Sequence, residues 1–202
     1  MKAPITTLII PAAGIGSRLQ PLTPFLPKEM LRLVDKPIFY YLLQEAYLAR
    51  ITRVIFIIHQ KNQALKKYLS APSTRSLLAD FPGLTVSFIE TPDRFGDGHA
   101  LLQAKDLVAN DKAFAVTMGD LLSLPGKSII GELIKVYEQN PIPLLSVEKI
   151  ERSKTERYGI IDPKTSDGRL YRINSIVEKP KPNQAPSLIA MTGKYILTPK
   201  IF

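Results

Sequence analysis

The chain contains no cysteine and only 2 histidines among 202 residues. The first absence excludes disulfides, thiolate nucleophiles and cysteine-based metal sites together, and it fits a reducing, cytoplasmic setting. No apolar run approaches the length of a membrane span, and the apolar core of "MKAPITTLII" is too short for a signal peptide. Nor is there a basic run interleaved with aromatics, although Lys and Arg outnumber Asp and Glu 27 to 18 and leave a formal charge of +9. The cations are spread along the chain, so most of them read as solvated surface, and neither nucleic acid nor a membrane is expected as a partner. Internal repeats and low-complexity segments are also absent. What is present is a globular composition, 45% hydrophobic and 22% charged, in a chain long enough for one substantial domain.

Up to about residue 150, short β-branched runs alternate with amphipathic patterns. "TTLIIP" predicts a buried strand, and "KPIFYYLLQEAYLAR" a helix entered at Pro37 after Asp35. "RVIFIIH" and "KNQALKKYL" form a second strand–helix pair. "LTVSFIE", a helix from about Gly98 to Val108, and "AFAVTM" follow, and then the helix "SIIGELIKVYEQN" and the strand "PLLSVEKI". Such alternation predicts an α/β fold with a largely parallel sheet, helices on both faces, and a ligand at the carboxyl ends of the strands. Beyond Ile150, "YGIID", "RLYRINSIVEKP" and "LIAMTGKYILT" read as strands joined by polar turns such as "TSDG", a sheet extension that covers the cleft. The whole of 1–202 is read as a single domain in two parts that divide at 150. Thr198 and Pro199 suit the start of a helix, and the apolar Ile201 and Phe202 point to its continuation.

The chemistry concentrates in "LIIPAAGIGSRLQPLTPFLPKEML", residues 8–31. A dinucleotide fingerprint would need glycine at position 19, where Leu19 stands, and the spacing of a Walker loop is absent. Small residues at Ala12, Ala13, Gly14 and Gly16 let backbone N–H groups approach an anion or a base edge. Arg18 adds a forked donor suited to phosphate oxygens, and Lys28 a compact charge. Taken singly, the glycines also suit a tight turn and the cations an ordinary surface.

"PAAGIGSRLQPLTPFLPKEMLRLVDKPIFYYLLQEA" resembles the bacterial UTP–glucose-1-phosphate uridylyltransferases, within the sugar-nucleotide pyrophosphorylases. The resemblance continues, in family order, through "GDGHALL", "GDLL", "RYGIID", "VEKP" and "APSLIAMTGKYILTPKIF", and so covers nearly the whole chain. It implies a three-layer α/β/α, Rossmann-like nucleotidyltransferase fold on a mixed, mostly parallel sheet, with 1–150 binding nucleotide and 151–202 binding sugar. It also implies a reaction in which UTP and glucose 1-phosphate give UDP-glucose and pyrophosphate, with Mg²⁺ as cofactor. Arg18 and Lys28 match the family's triphosphate-binding pair and Asp120 its Mg²⁺ ligand. Thr91 and Gly98 join the glycine loop on the nucleotide. Glu178 matches the residue on the ring hydroxyls and Lys179 the one on the sugar phosphate, so Arg18, Lys28 and Lys179 carry the catalytic charge. Gly159 would admit the hexose against the backbone, Thr192 and Gly193 would line its pocket, and His99 would serve the start of a helix. A phosphate nucleophile needs no general base, so the scarcity of histidine is no obstacle. Assembly into homo-oligomers stays open.

Four positions depart from the family pattern. Thr91 stands where a glutamine reads the pyrimidine edge, and a hydroxyl cannot offer the paired donor and acceptor of an amide. Asp97 replaces a leucine, Pro24 a lysine and Leu188 an asparagine. Two alternatives therefore stand beside uridylyl transfer to glucose 1-phosphate: a non-catalytic nucleotide-sugar-binding protein, and a thymidylyl- or guanylyltransferase of the same fold.

Overall fold

A computed structural model describes residues 5–14, 16, 26–92 and 95–202. Arg18 and Pro24 lie outside the described residues. The chain divides into two compact units, Met1–Leu144 with Tyr195–Phe202, and Leu145–Lys194. The sequence reading divided the chain at 150 and assigned its end to the second part. A strand's alternation records which side chains are buried but not which neighbour it pairs with, so the return of the chain to the first unit was not legible.

In the first unit, strand β1 (Thr7–Ala12) is followed by the minute hairpin β2 (Arg32–Leu33) and β3 (Lys36–Pro37), helix α1 (Ile38–Leu48) and strand β4 (Arg53–His59). Helices α2 (Ala64–Ser70) and α3 (Arg75–Leu78) lead to β5 (Thr85–Thr91); α4 (Asp97–Leu102) and α5 (Lys105–Val108) lead to β6 (Phe114–Thr117), and α6 (Ile129–Gln139) follows. The hydrogen-bonded order is β5-β4-β1-β6. All three pairings are parallel, with Leu8 beside Val54 on one side and Ala115 on the other.

Alternation along these strands separates two apolar layers. Leu8, Ile10, Val54 and Phe56 face a cluster built with Phe39, Leu42 and Leu43 of α1 and Ile130 and Ile134 of α6. Ile9, Ile55, Ile57, Phe114 and Val116 face the other side, against Ala100, Ala104 and Val108. A strand covered on both faces must be apolar throughout, which is why "TTLIIP" and "RVIFIIH" lack polar alternation. The sheet is thus flanked by helices on both faces.

Some boundaries differ from the sequence reading. Pro37 is the N-cap of α1 rather than its first residue. The helix expected from Gly98 to Val108 is two helices. The N–H groups of Gln103 and Ala104 bond back three residues, to Ala100 and Leu101, and this tight turn seats the fully buried Ala104. The chain's end forms a 3₁₀ turn, Pro199–Ile201, and Phe202 stacks on Phe114 with ring centroids 5.9 Å apart.

In the second unit, β7 (Leu144–Lys149, its first residue in the first unit) precedes a 3₁₀ helix at Arg152–Arg157 and the strands β8 (Gly159–Asp167), β9 (Leu170–Glu178) and β10 (Ile189–Leu197, its last three residues in the first unit). Strand β8 pairs antiparallel with β9, where irregularities flank Pro163, and antiparallel with β10 at Ala190 and Ile160. The strands expected after Ile150 are present, and the sheet is mixed and mostly parallel.

Helix α6 supplies a test of these local rules. Ser128 caps it, its Oγ accepting from the Gly131 N–H at 2.9 Å and donating to the Glu45 carbonyl at 3.1 Å. Replacing Ser128 with Ala should lower stability by about 1–2 kcal/mol, read as a lower urea midpoint with unchanged slope. An unchanged midpoint would show that the cap contributes nothing.

Candidate active site

Strands β1 and β6 run parallel side by side, so the segments that follow them emerge at the same edge of the first unit. After β1 come Ala12 and Ala13, each 7% exposed, and then Gly14. A Cβ added at Gly14 or at Gly98 would meet nothing within 4 Å, so internal packing requires glycine at neither position. Gly16 has φ 61°, a left-handed conformation that suits glycine. After β6 comes Asp120, three residues past the strand end at Thr117 rather than on the strand itself.

Lys28 meets that aspartate from 92 residues away. Its Nζ donates to Asp120 Oδ2 at 3.0 Å, with Lys28 mostly covered and the Asp120 side chain 52% exposed. Pro27 opens the 3₁₀ turn Lys28–Met30 that carries the lysine, and its carbonyl accepts from the Met30 N–H at 2.9 Å. The next residue in the turn, Glu29, points inward and is 1% exposed. A Cβ on Gly119 would lie 2.5 Å from Glu29 Oε1, so any side chain there would force the Glu29 carboxyl to shift. Burial pushes the Glu29 carboxyl up to about 7, with a smaller push from Asp120 and opposing pulls from its backbone hydrogen bond and from Lys28. Its Oε1 is buried and has no hydrogen-bond partner among the described residues.

At the next strands the edge is closed by a histidine. His59 Nδ1 accepts from the Lys61 N–H at 3.1 Å, which leaves Nε2–H to donate to the Pro92 carbonyl at 3.0 Å. That pair ties the end of β4 to the residue after β5. Thr91, the last residue of β5, is fully buried, and its side chain offers no surface to a nucleotide. His99, in the first turns of α4, packs edge-on against the exposed Phe95 with ring centroids 5.2 Å apart. Asp97, the first residue of α4, is exposed.

The second unit gathers the other expected residues. Gly159 and Glu178 are direct register partners across β8 and β9. A Cβ on Gly159 would lie 3.1 Å from both Glu178 Oε2 and Met191 Sδ, so the side chain of Glu178 lies against a glycine with little room to spare. Lys179 Nζ stands 3.0 Å from Glu178 Oε1, and both side chains are more than half exposed. Lys179 has φ 47°, a backbone conformation that is costly for a residue with a side chain. It is held by its N–H bond to the Tyr158 carbonyl at 3.0 Å. Thr192 Oγ1 is hydrogen-bonded to Ser146 Oγ at 2.5 Å, and Gly193 follows with φ 73°. Glu178, Lys179 and Gly159 are therefore brought together.

Comparison with known proteins gives the family of the chain. Residues 7–202 match the sequence profile of the nucleotidyl transferase family. The chain belongs to that family. It is 34% identical over 212 aligned positions to "UTP--glucose-1-phosphate uridylyltransferase 2" of Staphylococcus saprophyticus, covering 98% of this chain and 73% of that one. The corresponding enzyme of Staphylococcus haemolyticus gives the same figures. In three dimensions it resembles a UDP-glucose pyrophosphorylase complexed with UDP-glucose, with TM-score 0.89, 30% identity, and coverage of 98% of this chain and 78% of that one. A UTP-bound enzyme from Acinetobacter baumannii matches with TM-score 0.86 and 30% identity, over 97% of this chain and 75% of that one. These relatives put the chain in the bacterial UDP-glucose pyrophosphorylase family, and its activity class is nucleotidyl transfer of the UDP-sugar pyrophosphorylase type. The fold is the family's Rossmann-like nucleotidyltransferase fold.

Sequence reasoning missed Glu29, although it stands inside the quoted "PKEM" between a lysine and an apolar pair. It also missed His59, which closes an otherwise apolar strand, and the strained backbone of Lys179, which no pattern signals.

The Glu29 carboxyl gives a pH test with a definite sign. Its pKa in the folded protein lies above the 4.5 of an ordinary glutamate, so the proton it holds favours the folded state in acid. That advantage is complete below pH 4.5 and disappears as the pH rises through about 7. Against Glu29→Gln, the unmodified protein should lose roughly 3 kcal/mol of relative stability between pH 4 and 8. Urea unfolding of both proteins across that range checks it, and a constant gap would contradict it.

Proposed function

We propose that the chain joins UTP and glucose 1-phosphate to give UDP-glucose and pyrophosphate. An oxygen of the sugar phosphate forms the new bond to the α-phosphorus, and the bond from that phosphorus to the oxygen bridging to the β-phosphate breaks, so pyrophosphate carries away the electron pair. No proton has to move. Both reactants are polyanions, so catalysis consists of neutralising charge and holding the two phosphates in line.

The observation that carries this reading is the Lys28–Asp120 pair, 3.0 Å apart, at the edge where the glycine loop also emerges. In this reading Lys28 and Arg18 neutralise the β- and γ-phosphates, and the backbone of Ala12, Ala13, Gly14 and Gly16 receives the nucleotide. The two residues of the second unit take the other reactant: Lys179 the sugar phosphate, and Glu178 the ring hydroxyls, with Gly159 leaving backbone open beside them. Thr192 and Gly193 complete the sugar's surroundings.

Among the described residues no three His, Asp or Glu side chains gather as a metal cage. Magnesium does not need one, because it is commonly held by one or two carboxylates together with substrate phosphates and water. Asp120 fits that donor set: its carboxylate is half exposed and held by Lys28. Magnesium there would supply charge stabilisation for the triphosphate.

Base selectivity follows from Thr91. With this side chain fully buried, no planar amide stands at that position to read a pyrimidine edge. Discrimination between UTP and CTP, whose base edges differ in donors and acceptors, is expected to be below about thirtyfold in kcat/KM, since without the amide about 2 kcal/mol or less separates them. A preference of a hundredfold or more would mean that other groups read the base.

A pyrophosphate-release assay across the four nucleoside triphosphates and several hexose 1-phosphates tests the reaction itself, with the pair UTP and glucose 1-phosphate expected among the best. Release with no pair would overturn the reading in favour of a binding protein. Three variants then assign the parts. Lys28→Ala should raise the apparent constant for the nucleotide, and Lys179→Ala that for the sugar phosphate. Asp120→Asn should lower kcat by roughly 10²-fold or more. If both lysine variants affect the same substrate, one of the two roles is misassigned.

A further inference from the structure

Lys28 and Glu29 are consecutive in one turn, and they face Gly119 and Asp120, which are consecutive in another. Lys28 holds the Asp120 carboxylate at 3.0 Å, while the Glu29 carboxyl fills the space that a Cβ on Gly119 would need. Two neighbouring side chains thus grip two neighbouring residues, one through charge and one through contact. Glu29 is buried, and its Oε1 makes no hydrogen bond among the described residues. A carboxyl left in that state costs stability, and an apolar side chain of the same length would fill the space more cheaply. Packing alone does not account for it.

We propose that Glu29 is a positioning residue, whose buried carboxyl seats against Gly119 and sets the place of Asp120 relative to Lys28. The inference rests on the reading of Lys28 and Asp120 as the nucleotide end of the site. Gly119 has no side chain to yield, and the 3₁₀ turn that carries Glu29 is fixed by Pro27 and by the Leu31 N–H bond to the Lys28 carbonyl at 3.1 Å. The carboxyl also keeps its proton to higher pH than an exposed glutamate, so around neutrality a neutral form of the same shape as an amide already occupies the space. An amide of the same shape should therefore replace it.

The test compares Glu29→Gln, Glu29→Ala and Gly119→Ala with the unmodified protein, by two readouts. The first is the position of the Gly119 and Asp120 amide signals in a ¹⁵N–¹H spectrum of the free protein. The second is kcat and KM for pyrophosphate release with UTP and glucose 1-phosphate. Glu29→Ala and Gly119→Ala should move both amide signals and lower kcat on the order of 10²-fold, the scale of a misplacement near 1 Å, with little change in KM for glucose 1-phosphate. Glu29→Gln should restore both readouts. The double variant Glu29→Ala with Gly119→Ala should recover much of what either single change loses, because the new methyl enters the vacated space.

A merely structural role would lower the melting temperature of Glu29→Ala while leaving kcat and the two amide signals of its folded form unchanged, and that result overturns the proposal. Failure of Glu29→Gln to restore the amide signals overturns it as well. If the unmodified protein releases no pyrophosphate, the uridylyl-transfer reading fails, and the amide signals still decide whether Glu29 sets the position of Asp120.

Discussion

The parallel seating of β1 between β4 and β6 is the constraint on which the rest of the first unit depends. All six residues of β1 are buried, so its register cannot slip without moving an apolar set to the wrong layer. Parallel neighbours send their following segments to one edge, and that edge receives the glycine loop after β1 and the Gly119–Asp120 turn after β6. A lysine from a third segment then reaches the aspartate. The chemistry is thus a consequence of strand direction: an antiparallel β6 would deliver Asp120 to the opposite edge.

The two units share one device. In each, a lysine ammonium stands 3.0 Å from a carboxylate at the surface: Lys28 with Asp120, and Lys179 with Glu178. Exposed pairs of this kind add little to stability. Held ready, they suit a ligand that brings its own negative charge, because a phosphate can take over the ammonium while the carboxylate turns to a cation or to hydroxyl donors. The local backbone supports the same view. Lys179 keeps a left-handed φ, a cost that packing alone does not require.

How much of this could be read from the sequence depended on the kind of signal. The apolar runs of β1 and β4, the spacing in α1 and α6, and the hairpin at "TSDG" all carry local periodicity or turn chemistry, and they appear as elements at nearly the expected places. The motif order carried the family. The division between the units did not show, because β10 alternates in the same way whether it pairs in one unit or passes into the next. Thr91 was legible as a departure but not as a buried one: its burial is a matter of tertiary packing at the end of β5, which no spacing in "ETPDRFGDGHA" encodes. Glu29 drew no notice beside Lys28, because nothing in the local pattern shows that its turn faces inward against a glycine 90 residues away in sequence.

The central claim is a single in-line transfer from nucleotide to sugar phosphate, driven by charge neutralisation with no covalent intermediate on the protein. The most direct measurement is the stereochemical course with UTP carrying a chiral α-phosphorothioate, the product configuration being read by ³¹P NMR. One displacement predicts inversion at the α-phosphorus. Retention would require two displacements through a uridylylated side chain, and it would contradict the account.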